Sequence, residues 1–199
     1  MHDIKDFPTL NGLVLAGGKS RRMGYPKDKI DWHGKEQRYY IADLLAKFCA
    51  QVFISCRQDQ LEDANPNYHY ISDKFLDMGP FGGLLSAFDL HKDKAWLMIA
   101  CDLPLLDKKS IETLVQSRAP EKTATVYESS SDGLPEPMIA IWEPESYSLL
   151  CHSLDKATTS LRKILMTSNI KILKPHDPDI LMNVNSPEEF MAAKKILGK

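Results

Sequence analysis

A short apolar run, Leu13-Val14-Leu15-Ala16, passes directly into Gly17-Gly18-Lys19-Ser20-Arg21-Arg22-Met23-Gly24-Tyr25-Pro26-Lys27. Glycines, lacking a Cβ, let backbone N–H groups close on an anion. Lys19, Arg21, Arg22, Lys27 and Lys29 place five cationic side chains within eleven residues, where a polyphosphate would need neutralising. The Walker spacing G-x-x-x-x-G-K-[ST] and the dinucleotide fingerprint G-x-G-x-x-G both fail to fit, so this is a phosphate loop of another kind.

A second group of residues suits metal and ligand chemistry. Asp102 closes the most apolar run of the chain and is followed by Leu103-Pro104-Leu105-Leu106. A carboxylate between apolar segments is costly to desolvate unless it is paired or bound to metal. Magnesium favours one or two carboxylates completed by substrate phosphates, and Asp102 is the expected ligand, a cap on the turn before Pro104 being the other reading. Asp73 follows another apolar run and suits a second metal position, a ribose hydroxyl, a base edge or a plain loop acid. Gly79-Pro80-Phe81-Gly82-Gly83-Leu84 leads into a helix and suits either an anion at the helix start or close packing. Leu134-Pro135-Glu136-Pro137-Met138 is restricted, extended backbone, fit for a pocket wall or an irregular edge. Asn183-Val184-Asn185 precedes the last helix and suits ligand reading or turn holding. The six histidines form no H-x-x-x-H or H-E-x-x-H pattern and no serine sits in a G-x-S-x-G elbow, so a hydrolytic triad is not supported.

These groups must be positioned by secondary structure, and hydrophobic periodicity predicts it. Strands are expected at 13–16, 52–55, 68–72, 96–100 and 170–173, with 123–127 and 138–142 paired across a turn-rich stretch. Helices are expected at 39–48, 82–90, 108–117, 145–153 and 160–166, the third capped by Asp107. Ser186, Pro187 and Glu189 predict a capping box at the start of a final helix. Alternating strands and helices predict an α/β fold, a mostly parallel central sheet covered on both faces, in one domain spanning 1–199. Ligands bind such sheets beyond the carboxyl ends of the strands. The glycine loop, Asp73 and Asp102 all follow strand ends, so they should share one rim.

Bulk properties are those expected of an ordinary soluble globular protein. The chain has 199 residues, 43% hydrophobic and 26% charged, with net charge −2, which argues against general nucleic-acid binding. Cys49, Cys56, Cys101 and Cys151 form no C-x-x-C pair and read as buried reduced thiols. No signal-peptide core stands near the start, and no apolar run reaches the roughly 18 residues of a membrane span. A cytoplasmic protein without membrane contact is expected.

In this order the segments resemble the molybdenum cofactor guanylyltransferase family, within the nucleotidyltransferase superfamily. The loop resembles the family's L-A-G-G-x-S-x-R-M-G-x-x-K, and Gly79 to Leu84 its second glycine loop. Ala100-Cys101-Asp102-Leu103-Pro104 resembles its C-D-x-P, and Asn183-Val184-Asn185-Ser186-Pro187-Glu188-Glu189 its closing N-x-N-[ST]-P-E-[DE]. The matches run from residue 13 to 190. The resemblance implies a three-layer Rossmann-like nucleotidyltransferase fold. It implies a Mg²⁺-dependent reaction joining GMP from GTP to the phosphate of molybdopterin, with release of pyrophosphate. It assigns catalysis to Arg22, Lys27 and Asp102, with Asp102 as metal ligand. It implies nucleotide contacts from Leu15, Ala16, Gly17, Gly18, Lys27, Ser55, Asp73 and Asp102. Gly82, Gly83, Asn183 and Asn185 would contact the acceptor. Molybdopterin-loading and molybdoenzyme-maturation proteins are the implied partners. Pro26 stands where the family has Asp, so Lys27 and Lys29 compete as the loop lysine, and spacing favours Lys27. Pro-Lys also occurs in the related cytidylyltransferases, which keeps molybdopterin cytidylyltransfer as the alternative. A sugar-phosphate nucleotidyltransferase, or a nucleotide-binding module without turnover, are the other readings.

Overall fold

The computed structural model describes residues 7–18, 26–62 and 64–198. Seven strands form one sheet: β1 (Leu10–Leu15), β2 (Val52–Cys56), β3 (His69–Ser72), β4 (Ala95–Ala100), β5 (Ala124–Glu128), β6 (Pro135–Trp142) and β7 (Ile170–Leu173). Their spatial order is β3-β2-β1-β4-β6-β5-β7. β1 pairs in parallel with β2 and β4, and β2 with β3. β6 runs antiparallel to both β4 and β5, while β5 and β7 are parallel. The hairpin of β5 and β6 places β6 between β4 and β5, making it the reversed strand of an otherwise parallel sheet. The chain winds outward from β1 to β3, then returns to place β4 on the other side of β1. That reversal opens a crevice beyond the carboxyl ends of β1 and β4, where doubly wound sheets hold ligands.

The described residues form six α-helices: α1 (Gln37–Leu45), α2 (Pro80–Leu90), α3 (Lys108–Gln116), α4 (Ser146–Asp155) and α5 (Leu161–Met166), which pack in the cores against the sheet, and α6 (Pro187–Ile196), which packs on the Ile30 and Trp32 segment. Side chains alternate along each strand, so each strand feeds two cores. Val14, Ile54, Leu97 and Ile99 pack toward α1 and α3, in the cluster that holds Ile41, Leu45, Ile111 and Leu114. Leu13, Phe53, Trp96 and Met98 pack toward α2, α4 and α5, with Phe81, Leu85, Phe88, Leu150 and Leu165. β4 is buried at every position, which explains why its sequence is apolar throughout. A smaller cluster joins Ile30 and Trp32 to Val184 and Ala193 on the C-terminal segment, and the Trp32 and Phe190 rings lie 4.8 Å apart.

The predicted elements all form, with shifted ends. β1 begins at Leu10 and β6 at Pro135, three residues before the expected starts, because Asn11-Gly12 and Pro135-Glu136-Pro137 interrupt the apolar pattern. α2 begins at Pro80, where a missing N–H costs nothing at the first helical position. Asp107 accepts from the Ser110 amide at 2.8 Å and caps α3. Ser186 and Glu189 form the reciprocal capping box of α6. Cys56 and Cys101 are buried, Cys49 and Cys151 are half-buried, and all four are free thiols.

Candidate nucleotide site

A cavity of about 610 Å³ opens at the carboxyl ends of β1 to β4, a size suited to a small organic ligand. β1 delivers Leu15, Ala16, Gly17 and Gly18 to its wall, β2 delivers Ser55, and the turn after β3 delivers Asp73. β4 ends in Ala100 and Cys101, with Asp102 facing the same space. Lys27 and Asn185 complete the polar rim. Phe75, Leu76, Pro80 and Met138 supply an apolar side.

Lys27 lies in a 3₁₀ turn (Lys27–Lys29) whose middle residue, Asp28, is buried and paired with buried Arg38 at 3.2 Å. Burial pushes the Asp28 carboxyl up from its ordinary range, and the Arg38 guanidinium opposes that shift. The pair pins the turn, so the residues flanking Asp28 point elsewhere. Lys27 lines the cavity and its Nζ donates to Asn185 Oδ1 at 2.5 Å, whereas Lys29 is exposed outside the lining. The Val184 amide donates to the Asp102 carbonyl at 2.8 Å. The segment before α6 is thereby tied to both Lys27 and Asp102.

Asp102 is a half-buried residue whose Oδ1 is buried with no hydrogen-bond partner among the described residues. Burial pushes its carboxyl up, and the nearby Lys27 ammonium opposes the rise. An orphaned buried carboxylate oxygen beside a phosphate-sized polar rim fits one protein ligand to a divalent cation. Among the described residues no group of three or more His, Cys, Asp or Glu side chains is placed to hold a metal ion.

Asp73 lies across β1 from Asp102, at the end of β3. The Ser55 hydroxyl donates to its Oδ1. Burial raises the Asp73 carboxyl, against the Ser55 hydrogen bond and the Arg57 charge. A Cβ added at Gly17 would lie 2.8 Å from Asp73 Oδ2, so a side chain there would have to displace this carboxylate. Ala16 spends its amide on the Ser55 carbonyl at 2.9 Å, and the Leu15 carbonyl accepts from Cys101 at 3.3 Å.

Several of the expected residues lie outside the lining of this cavity. Gly82 and Gly83 are buried in α2 and do not line the cavity. A Cβ at Gly82 would meet the Phe75 carbonyl oxygen at 2.2 Å, and one at Gly83 would meet Leu15 Cδ2 and Ser55 Oγ at 2.8 Å. These glycines let α2 press against the loop that carries Phe75 and the floor that carries Ser55. Gly79 and Pro80 are the members of that cluster in the lining. Asn183 is outside the lining, unlike Asn185. Arg22, with Lys19 and Arg21, lies outside the described residues. Sequence reasoning passed over Asp28, Arg57 and Phe75, which line the cavity, and Gln60 beside it. Arg57, the residue after β2, was a legible cation at a strand end. Asp28 was hidden, because a charged residue between two lysines reads as exposed.

The model of the MobA-like NTP transferase domain matches residues 12–176. This chain belongs to that family. A molybdenum cofactor biosynthesis bifunctional protein of Synechocystis sp. is 35% identical over 189 residues, covering 94% of this chain and 54% of that protein. The chain thus spans about half the length of that relative. A molybdenum cofactor guanylyltransferase of Pseudomonas entomophila is 29% identical, covering 91% of this chain and 96% of that protein. Among solved structures, the molybdopterin-guanine dinucleotide biosynthesis protein A of Archaeoglobus fulgidus has a TM-score of 0.78 at 19% identity, covering 94% of this chain and 98% of that one. The fold of a MobA-like NTP transferase therefore agrees with the sheet order and the crevice described above.

Proposed function

We propose that the crevice binds GTP, and that the enzyme transfers GMP to the phosphate of molybdopterin and releases pyrophosphate. The observation that carries this reading is the meeting of Lys27 and Asp102, from segments 75 residues apart, beside Gly17 and Gly18 at the sheet's switch point. In the reaction an oxygen of the acceptor phosphate bonds to the α-phosphorus, and the bond from that phosphorus to the β-bridging oxygen breaks. The acceptor phosphate is already ionised at neutral pH, so no side chain has to remove a proton. Catalysis then consists of positioning and charge stabilisation.

Lys27 would neutralise the charge that grows on the departing pyrophosphate, held in place by Asn185. Gly17 and Gly18 would offer amides to the β and γ phosphates. Arg22 would add a second cation. Asp102 would hold Mg²⁺, which when bound neutralises α-phosphate charge and orients the leaving group. Asp73, kept in place by Ser55, would accept from an N–H or hydroxyl of the nucleoside. The apolar side formed by Phe75, Leu76 and Met138 would limit water around the reacting phosphates. The reaction belongs to the cytoplasm, and no helix among the described residues is long and apolar enough to cross a membrane. Molybdopterin-loading and molybdoenzyme-maturation proteins would deliver substrate and collect product.

Pyrophosphate release is measured with Mg²⁺, molybdopterin and, separately, GTP, CTP, ATP and UTP. Release with GTP alone is expected, and it stops on chelation of the metal. Release with CTP alone would reassign the protein to cytidylyltransfer. A folded protein that releases none would refute the transferase reading.

A further inference from the structure

The turn after β2 holds the backbone of the first glycine loop through its carbonyls. Arg57 Nη1 donates to the Gly17 carbonyl at 2.8 Å. Gln60 Nε2 donates to the Ala16 carbonyl at 3.2 Å. Both side chains are themselves braced. Arg57 Nε and Nη2 each donate to the Asp59 carboxylate at 3.0 Å, a two-point pairing that fixes the guanidinium plane. Gln60 Oε1 accepts from the Arg57 amide at 2.9 Å, which fixes which end of that amide faces Ala16.

In a trans peptide the C=O and the N–H point in opposite directions. The Ala16 carbonyl shares its peptide with the Gly17 amide, and the Gly17 carbonyl shares its peptide with the Gly18 amide. Drawing both carbonyls toward 57–60 therefore turns both amides away from that turn. Neither amide has an acceptor among the described residues, and both glycines line the cavity. A free glycine pair would sample many orientations, including those presenting carbonyl oxygens to an anion.

We propose that Arg57 and Gln60 are positioning residues that aim the Gly17 and Gly18 amides at the β and γ phosphates of the nucleotide. The inference rests on the triphosphate reading of the cavity. Its ligand chemistry is the polyphosphate, whichever base it carries.

The test compares ligands that have and lack those phosphates. GTP, CTP and GMP are titrated by calorimetry into the wild type, Gln60→Glu, Arg57→Met and Arg57→Lys. Gln60→Glu keeps the acceptor for the Arg57 amide and loses the donor to Ala16. Arg57→Lys keeps a cation able to reach Gly17. Loss of one aligned hydrogen bond corresponds to about a tenfold change in affinity. Gln60→Glu and Arg57→Met are expected to weaken the bound triphosphate about tenfold and GMP less than twofold, with melting temperatures close to wild type. Arg57→Lys is expected to recover most of the loss. Equal weakening of GMP and the triphosphate would overturn the proposal and mark the turn as a general structural support, as would no change in either. Wild type that binds CTP rather than GTP would overturn guanylyl transfer while the same comparison still decides the bracket. Wild type that binds neither would overturn both.

Discussion

Gly82 and Gly83 provide the sharpest contrast, because adjacent helical glycines face different neighbours. An alanine Cβ at 82 would lie 2.2 Å from the Phe75 carbonyl oxygen and 3.3 Å from Met78 Cβ. The obstacle at 82 is backbone, and Ser86 ties the two segments together, its hydroxyl donating to the Gly82 carbonyl at 2.8 Å and accepting from the Lys74 amide at 2.9 Å. At 83 the obstacles are side-chain atoms, Leu15 Cδ2 and Ser55 Oγ at 2.8 Å, with Asp73 Oδ1 at 3.7 Å. Alanine gains about 1 kcal/mol over glycine in a helix interior at either position. Overpacking side chains costs about 1–3 kcal/mol, so Gly83→Ala is expected to lose about 0–2 kcal/mol net. Displacing backbone at 82 costs more, and Gly82→Ala is expected to lose about 3 kcal/mol or more. For a chain of this size each kcal/mol moves the melting temperature by about 2–4 °C. Calorimetric scans should therefore show Gly82→Ala lowered by about 6–12 °C and Gly83→Ala by clearly less. Because the Gly83 methyl pushes on Ser55, and Ser55 holds Asp73, Gly83→Ala should also raise the KM for nucleotide. If both variants melt like wild type while only the acceptor KM rises, the packing account is refuted and these glycines contact the acceptor.

Three further outcomes are expected. Asp102→Asn should reduce pyrophosphate release by about 10²–10³-fold, the usual effect of losing one transition-state stabiliser, with the fold intact by circular dichroism; full activity would remove Asp102 from the chemistry. Lys27→Ala should lower turnover much more than Lys29→Ala in parallel steady-state assays, and equal effects would overturn the assignment of the loop lysine. Arg118→Met should cost about 3–5 kcal/mol in denaturant unfolding, because it strands Glu143, whose carboxylate is buried and takes two Arg118 hydrogen bonds at 2.7 and 2.8 Å. The Arg118 variant, remote from the cavity, should keep its kcat while folded, and a selective loss of kcat would contradict that placement.

Local chemistry sufficed for much of this protein. Period-two and period-3.6 apolar patterns mark strands and helices because each element buries one stripe or face, and the Ser186 and Glu189 box is read within four residues. Strand ends followed by Gly17, Asp73 and Asp102 could be assigned to one rim, since parallel strands present their carboxyl ends together. The tertiary structure decided which candidates reach the ligand space. Lys27 lines the cavity and Lys29 does not, in keeping with the buried Asp28–Arg38 pair and with the bond from Lys27 to Asn185, 158 residues away. Asn185 faces the cavity and Asn183 does not, because Val184 is anchored to the Asp102 carbonyl. Glycine in a sequence signals only that a side chain is unwelcome; whether a phosphate, a carboxylate or a helix occupies the space depends on what packs there. Gly17 faces Asp73, and Gly82 faces Phe75. The sequence by itself determined the elements, the rim and the chemical vocabulary of the site, because those depend on near neighbours along the chain. Only the fold decided the partners, because hydrogen bonds and close contacts between distant segments exist only after the sheet has brought them together.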